Sequence, residues 1–275
     1  MGEIDELWRY DGRRAVVTGC ASGIGEHVVR QLTELGAEVV GLDKRPPAFE
    51  INDFHEVDLA DQGSIDAAVA AVGGHVDALF NVAGVSSGIG NPLLVVTINF
   101  LGLRHITEAL IPKMPTGSSI ASVSSLAAAG YRDHLQAVAP LLNTTTMQQG
   151  IDWCHAHPDA LAGGGYQLSK EAIILYTMRS ATRLGGRGIR INCTGPGVTE
   201  TPILDQLRTA YGQAFLDDIP KPLGRVSGPA EQASALLFLN SRAASYISGQ
   251  VLWVDGGNVA AAIARELEEG APWPA

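Results

Sequence analysis

One stretch constrains the fold more than any other: Val16-Val17-Thr18-Gly19-Cys20-Ala21-Ser22-Gly23-Ile24-Gly25. The apolar run Ala15 to Val17 reads as a short buried strand. A glycine-rich turn follows, then a helical pattern from Ile24 to Leu35. Strand, glycine turn and helix form the context that a dinucleotide site requires. Gly19 permits the sharp turn, Gly23 lets the backbone approach a pyrophosphate, and Gly25 lets helix and strand pack closely. The helix start offers free N–H groups and a partial positive charge to phosphates. The candidate cofactor contacts here are Gly19, Ala21, Ser22, Gly23 and Ile24. The spacing is Gly-x-x-x-Gly-x-Gly rather than the commoner Gly-x-Gly-x-x-Gly. A glycine turn that only caps a helix looks the same at this level.

Composition excludes several classes. A net charge of -10 makes a nucleic-acid backbone an unfavourable partner. No apolar run reads as long enough to span a bilayer, so no membrane partner is expected. The acidic opening Met-Gly-Glu-Ile-Asp-Glu-Leu-Trp lacks the basic and apolar regions of a signal peptide. Cys20, Cys154 and Cys193 are scattered and odd in number, which fits reduced thiols in a cytoplasmic protein.

Strands alternate with helices along the whole chain. Strands are expected at Glu38 to Leu42, His55 to Leu59, Val76 to Phe80, Ser119 to Val123, Ile189 to Cys193 and Gln250 to Val254. Helices are expected at Gln62 to Val72, Leu93 to Leu110, Tyr166 to Leu184 and Ala230 to Leu239, with a helical tail to about Glu269 and a loose end. This order predicts one α/β domain over 1–275, a doubly wound, seven-stranded, mostly parallel sheet flanked by helices. The 126–165 segment is too long for a plain loop and is expected to hold one or two short helices. Ile203, Leu204, Leu207, Tyr211 and Phe215 make an apolar stripe on a helical lid within 198–220.

Asp43 falls about 20 residues past the glycine turn, where a carboxylate can hold ribose hydroxyls. It would repel a 2′-phosphate, and the turn carries no base to attract one. NAD is therefore expected over NADP, although Lys44 and Arg45 follow at once. Tyr166 and Lys170 lie four apart, on one face of a helix. An ammonium about 4 Å from the phenol, at an effective dielectric of 20, is worth roughly 4 kcal/mol. That would bring a phenol from about 10 to about 7, where acid–base catalysis is efficient. Ser125 could then hydrogen-bond a substrate oxygen as its charge changes. Asn99 interrupts a long apolar helix, an unfavourable place for Asn unless it bonds something specific. Cys154-His155-Ala156-His157 lacks the spacing of a known zinc motif, so no metal is expected. A small filler role is preferred to a reactive thiol for Cys20.

Thr18-Gly19-x-x-x-Gly23-Ile24-Gly25, Asn81-Val82-Ala83-Gly84, Asn99, Ser125, Tyr166-x-x-x-Lys170 and Pro196-Gly197 occur in the order and spacing of one family. The sequence resembles the short-chain dehydrogenases/reductases from about Arg14 to Gly257. The resemblance implies a Rossmann-type fold with Tyr166 as catalytic acid/base. It makes Lys170 the residue that lowers the Tyr166 pKa and binds the nicotinamide ribose. It places Ser125, with Ser124 as fallback, on the substrate carbonyl or alcohol, and Asn99 in a proton relay. It puts Asn81, Ala83 and Gly84 along the adenosine and sheet side, and Asp58 and Leu59 beside adenine. Pro196, Gly197, Val198 and Thr199 would meet the nicotinamide.

The long 126–165 insertion and the Gly197-Val198-Thr199-Glu200-Thr201-Pro202 phrase resemble the 3α-hydroxysteroid dehydrogenase/carbonyl reductase and coniferyl-alcohol dehydrogenase subgroup. That implies a bulky apolar alcohol or ketone and a homodimer, with the family's homotetramer as the alternative. A dinucleotide-sensing protein without catalysis and a sugar-nucleotide epimerase are the competing readings.

Overall fold

A computed structural model describes residues 2–270. After α1 (Glu3–Trp8), which periodicity did not reveal, come β1 (Arg14–Thr18), α2 (Gly23–Glu34), β2 (Glu38–Asp43), β3 (Asp53–Glu56), α3 (Gln62–Ala71) and β4 (Ala78–Asn81). A continuous helical rod follows: α4 (Pro92–Val96), a π-helical turn (Thr97–Gly102) and α5 (Leu103–Leu110). Next are β5 (Ser119–Val123), α6 (Leu135–Asn143), α7 (Met147–Ala156), α8 (Tyr166–Gly185) and β6 (Arg190–Pro196). The chain then forms α9 (Pro202–Tyr211), α10 (Gln213–Asp217), α11 (Pro229–Asn240), β7 (Val251–Val254) and α12 (Asn258–Gly270). The loose end expected after α12 lies outside the described residues.

The seven strands make one sheet in the order β3-β2-β1-β4-β5-β6-β7, and every pairing is parallel. The chain winds outward through β2 and β3, then returns to place β4 on the other side of β1. That reversal opens a crevice beyond the carboxyl ends of β1 and β4, where α/β sheets bind ligands. Both sheet faces are covered. Val28, Leu32 and Leu236 of α2 and α11 close one core. Ile65, Ile106 and Ile173 of α3, α5 and α8 close the other.

Three expectations need correction. β3 ends at Glu56, before Val57-Asp58-Leu59, because its pairing partner β2 ends at Asp43, opposite Glu56. The rod Pro92–Lys113 is long and apolar enough, by length and composition, to cross a membrane, contrary to the sequence reading. It is mostly buried between the sheet and neighbouring helices. The lid stripe is broken: Gly212, at φ +84°, ends α9 and starts α10. Leu204 and Leu216 are buried, whereas Tyr211 and Phe215 remain 48% and 46% exposed with their rings 5.2 Å apart.

The insertion folds as α6 and α7 and is fastened to the body. The buried Arg104 guanidinium donates to the carbonyls of Thr144 at 2.6 Å and Thr146 at 3.1 Å, in the turn between the two helices. Arg179 of α8 donates to the Leu142 carbonyl. Cys154 points into the core, while His155 and His157 are exposed, so the three do not converge.

Candidate active site

The glycine turn lies at the crevice. Gly19 and Gly23 adopt left-handed backbone, φ +73° and +56°. A Cβ on Gly19 would come within 2.7 Å of the Ala83 backbone, and one on Gly25 within 1.9 Å of the Gly19 carbonyl oxygen. Only glycine allows these approaches. Thr18 Oγ1 accepts the N–H groups of Val82 at 3.0 Å and Ala83 at 3.2 Å, locking the ends of β1 and β4 together. Ser22 is extended and makes no side-chain cap on α2, so its first N–H groups face the crevice without a capping side chain. Cys20 is fully buried and burial pushes its thiol up to about 12, which makes it a filler rather than a nucleophile.

Asp43 closes the outer side of the turn. Its Oδ2 accepts the Ala21 N–H at 3.0 Å and its Oδ1 the Arg45 N–H at 3.3 Å. Lys44 is engaged elsewhere, donating to Asp58 Oδ2 at 2.7 Å. Partial burial opposes ionisation of Asp58, but the bonds from Lys44 and the Ala60 N–H outweigh it and hold the carboxyl below its ordinary value. Leu59 beside it is buried. Asn81 ends β4 beside the crevice. Its side chain is buried, and its amide nitrogen donates to Thr107 Oγ1 at 2.9 Å and Ser122 Oγ at 3.2 Å, while its Oδ1 is buried without a partner among the described residues.

Across the crevice stand the acid–base residues. β5 delivers Ser124 and Ser125, and tertiary contacts separate their roles. Ser124 is buried and donates to the Lys170 carbonyl at 2.8 Å. Ser125 is the serine that faces the Tyr166 phenol. Tyr166 opens α8 directly after Gly165, which is left-handed at φ +72°. Its ring is half-buried, but its hydroxyl end is enclosed. Burial pushes the phenol above its ordinary value, and the nearby Ser125 hydroxyl only partly offsets this. The expected depression to about 7 is therefore absent. The Lys170 ammonium donates instead to the Val123 carbonyl at 3.0 Å, 5.6 Å from the Tyr166 ring centroid. Burial pushes Lys170 itself down to about 8, which weakens it as a cation.

Asn99 lies in the π-helical turn, the kind of local widening often found at functional sites. It is fully buried and doubly tied to Val85: Oδ1 accepts the Val85 N–H at 2.8 Å, and Nδ2 donates to the Val85 carbonyl at 2.9 Å. Gly84 sits between Asn99 and Lys170. A Cβ there would lie 3.2 Å from Asn99 Oδ1 and 3.6 Å from Lys170 Nζ.

The far wall is the loop after β6. Gly197 donates to the Val254 carbonyl at 3.1 Å and passes so near Asp255 that a Cβ would meet its Cα at 2.7 Å. Val198 accepts the Ser227 N–H at 3.0 Å, and Thr199 Oγ1 lies 2.9 Å from Ser227 Oγ. Buried Gln232 of α11 braces this wall by donating to Ser227 Oγ at 2.9 Å and the Val254 carbonyl at 2.8 Å. Sequence reasoning missed Gln232, whose signal is a lone amide inside an apolar helix. It also missed Ser86, which is buried and donates to Gln206 Oε1 of α9 at 3.0 Å, with nothing local to mark it.

The chain is similar over most of its length to known dehydrogenases. A family profile described as enoyl-(acyl carrier protein) reductase matches residues 135–258, which include Tyr166, Lys170 and the β6 loop. One for the NAD dependent epimerase/dehydratase family matches residues 15–156 and stops short of Tyr166. Coniferyl-alcohol dehydrogenase of Pseudomonas sp. (strain HR199 / DSM 7063) is 34% identical over 246 residues, 89% of this chain and 96% of that protein. The 3-alpha-hydroxysteroid dehydrogenase/carbonyl reductase of Comamonas testosteroni is 31% identical, over 88% of this chain and 95% of its own. The crystal structure of the 3-alpha-hydroxysteroid dehydrogenase from Pseudomonas sp. B-0831 complexed with NADH superposes with a TM-score of 0.78 and 32% identity, covering 92% of this chain and 99% of that one. With fold, crevice and full-length relatives in accord, this chain is an oxidoreductase that belongs to the short-chain dehydrogenase/reductase family.

Proposed function

We propose that the protein is an NAD(H)-dependent dehydrogenase that interconverts a bulky, largely apolar secondary or aromatic alcohol and its carbonyl compound. The observation that carries this reading is the meeting of Ser125, Tyr166, Lys170 and Asn99 opposite the glycine turn. A nicotinamide dinucleotide fits the side chains present: left-handed glycines at 19 and 23, an α2 start without a capping side chain, and the Asp43 carboxylate on the turn. When bound, it supplies the hydride donor or acceptor.

The chain's own residues handle the proton and the oxygen. Ser125 donates a hydrogen bond to the substrate oxygen and holds it beside the Tyr166 hydroxyl. Tyr166 gives a proton to that oxygen in reduction and takes it back in oxidation. Its raised pKa keeps the phenol protonated near neutrality, ready for the reductive direction. Lys170, fixed by the Val123 carbonyl, favours the phenolate once it forms and holds the ribose. Asn99 keeps the π-helical turn and Gly84 in register.

NAD is preferred to NADP because Asp43 faces the turn while Asp58 holds Lys44. The exposed pair Tyr211 and Phe215 and the alcohols named for the relatives, coniferyl alcohol and hydroxysteroids, support a bulky apolar substrate. Half-exposed Ile263 and Leu267 on α12 support assembly as a homodimer or homotetramer. The three buried free thiols suit a cytoplasmic setting.

The test is an NAD⁺-reduction screen over steroid, aromatic and alicyclic alcohols, read at the nicotinamide absorbance, with Tyr166→Phe beside the wild type. At least one class should turn over, and the variant should lose about 10³-fold in kcat while still binding NADH. Near-normal turnover by the variant sinks the assignment.

A further inference from the structure

The opposite, amino end of the sheet carries a second concave site. β1, β5 and β6 begin there, and the end of α11 runs past them into a short turn, Arg242–Ala244. A cleft of about 290 Å³ opens between these segments, lined by Arg13, Arg190, Arg242, Ser245 and the Gly117 and Gly188 backbones.

One piece of chain gathers the three guanidinium groups. Arg190 donates to the Leu239 carbonyl at 2.7 Å and the Ser241 carbonyl at 2.9 Å, and Arg13 donates to the Asn240 carbonyl at 2.9 Å. The next residue is Arg242. These bonds satisfy the last carbonyls of α11, which is a structural role. They do not use the whole of either fork. A guanidinium has five N–H donors, and Arg13 and Arg190 bond here through Nη1 and Nη2, leaving Nε. Arg242 makes no side-chain hydrogen bond or ion pair among the described residues.

Charge around the cleft is not balanced. Among the described residues, none of the three arginines forms an ion pair. The acid that acts on Arg13 is Asp77, and its carboxylate is engaged by the Arg14 N–H at 2.8 Å and by His75 Nε2 at 3.0 Å. Burial pushes Arg13 and Arg190 below the ordinary arginine value; repulsion from Arg13 adds to this at Arg190, while at Arg13 the pull of Asp77 exceeds the repulsion from Arg242. Three like charges converging with no carboxylate in an ion pair with any of them, and only the already engaged Asp77 nearby, in a chain of net charge -10, is the arrangement of an anion site rather than of a solvated surface.

We propose that this cleft binds a phosphate-type oxyanion, either the free ion or the phosphoryl group of a small metabolite. The fork geometry of arginine suits such oxygens, and Ser245 adds a hydroxyl at the rim. The site is separate from the redox crevice. The six residue steps of β6 from Arg190 to Pro196 span about 20 Å at roughly 3.3 Å each.

Thermal unfolding of the whole protein tests this at constant ionic strength, with chloride replaced by inorganic phosphate in one series and by glycerol 3-phosphate in another. The wild type should show a saturable rise in Tm. Arg242→Ala should need at least tenfold more of either anion for the same rise. Because Arg242 is exposed and unbonded, the variant should fold and turn over substrate normally. Ser245→Asp, which places a negative charge at the rim, should lose the rise in the same way and serves if Arg242→Ala misfolds. Saturation at lower glycerol 3-phosphate than phosphate identifies a phosphoryl metabolite as the ligand class, and the reverse identifies the free ion. A rise no greater than in chloride, or an equal rise in wild type and both variants, as phosphate at the glycine turn would give, overturns the proposal.

Discussion

The floor and the roof of the crevice are held in different ways. The floor, made by the end of β5, the start of α8 and the π-helical turn, is cross-bonded almost everywhere. Ser124 holds the Lys170 carbonyl, Val123 holds the Lys170 ammonium, and Val85 holds Asn99 at both ends of its amide. The roof, α9 and α10, is broken at Gly212 and leaves two aromatic rings half-exposed. One buried hydroxyl, Ser86, latches it to the body through Gln206. Proton transfer tolerates little misplacement of the acid and the oxygen, so the floor is rigid. If the substrate is bulky, as proposed above, its admission requires opening, and a loosely held roof suits that. Substitutions in the floor should therefore change chemistry, and substitutions in the roof should change admission.

After Tyr166→Phe, the largest effect expected is at Lys170. Lys170→Met should lower turnover by about 10²-fold or more, through loss of the charge that favours the phenolate. It should also stabilise the protein at pH 7. Burial holds Lys170 at about 8 against an ordinary 10.5, so the folded chain releases its proton before the unfolded chain does. Stability therefore rises with pH between about 8 and 10.5, and below 8 the whole penalty of the buried ammonium applies. That penalty is of the order of 3 kcal/mol. Leaving the Val123 carbonyl without its donor returns about 1–2 kcal/mol of it. Urea unfolding should show a net gain of about 1–2 kcal/mol at pH 7 that shrinks by pH 10. A less stable variant at pH 7 would mean that the floor is not strained by its own lysine.

The two regions were also unequally legible. Tyr166 and Lys170 could be read because a spacing of four on a helix is local information. The glycine turn could be read because left-handed backbone at Gly19 and close contact at Gly25 demand that residue. The preference for Ser125 over Ser124 rests on the family resemblance and not on local spacing, since it depends on which hydroxyl faces Tyr166, some 40 residues later, and which is taken by the Lys170 carbonyl. The Tyr166 pKa was misjudged because spacing sets where Lys170 lies but not where its ammonium points, nor how deeply both are buried. In the roof, periodicity marked an apolar stripe but not the break at Gly212, where a turn overrides the pattern. The arginines at the amino edge left no local signal. They meet only because α11 ends beside the starts of β1 and β6.

Between floor and roof in expected effect stands Asp43, on the cofactor side. Asp43→Ala removes a carboxylate that accepts the Ala21 N–H and faces the ribose position. The ratio of kcat/KM with NAD⁺ to that with NADP⁺ should fall by at least about tenfold, the value of one charge-assisted hydrogen bond. An unchanged ratio would place cofactor choice elsewhere, with Lys44 and Arg45 as the next residues to vary.

The smallest effect, and the most direct test of the contrast, is Ser86→Ala. The lost hydroxyl donates to Gln206 and accepts the Gly88 N–H at 3.2 Å, and Gly88 itself lies against the Gln206 backbone. Gln206 is exposed, so its freed amide oxygen can turn to water, and the net loss is that of one hydrogen bond, about 1 kcal/mol. A lid weakened by that amount shifts its open–closed balance about fivefold. KM for a bulky alcohol should rise by about that factor, since its binding draws on closure. KM for a small alcohol should change less, and kcat should stay the same or increase where product release limits it. A fall in kcat of the size seen for floor substitutions, with KM unchanged, would show that α9 takes part in aligning the reacting oxygen and that the division between a chemical floor and a gating roof does not hold.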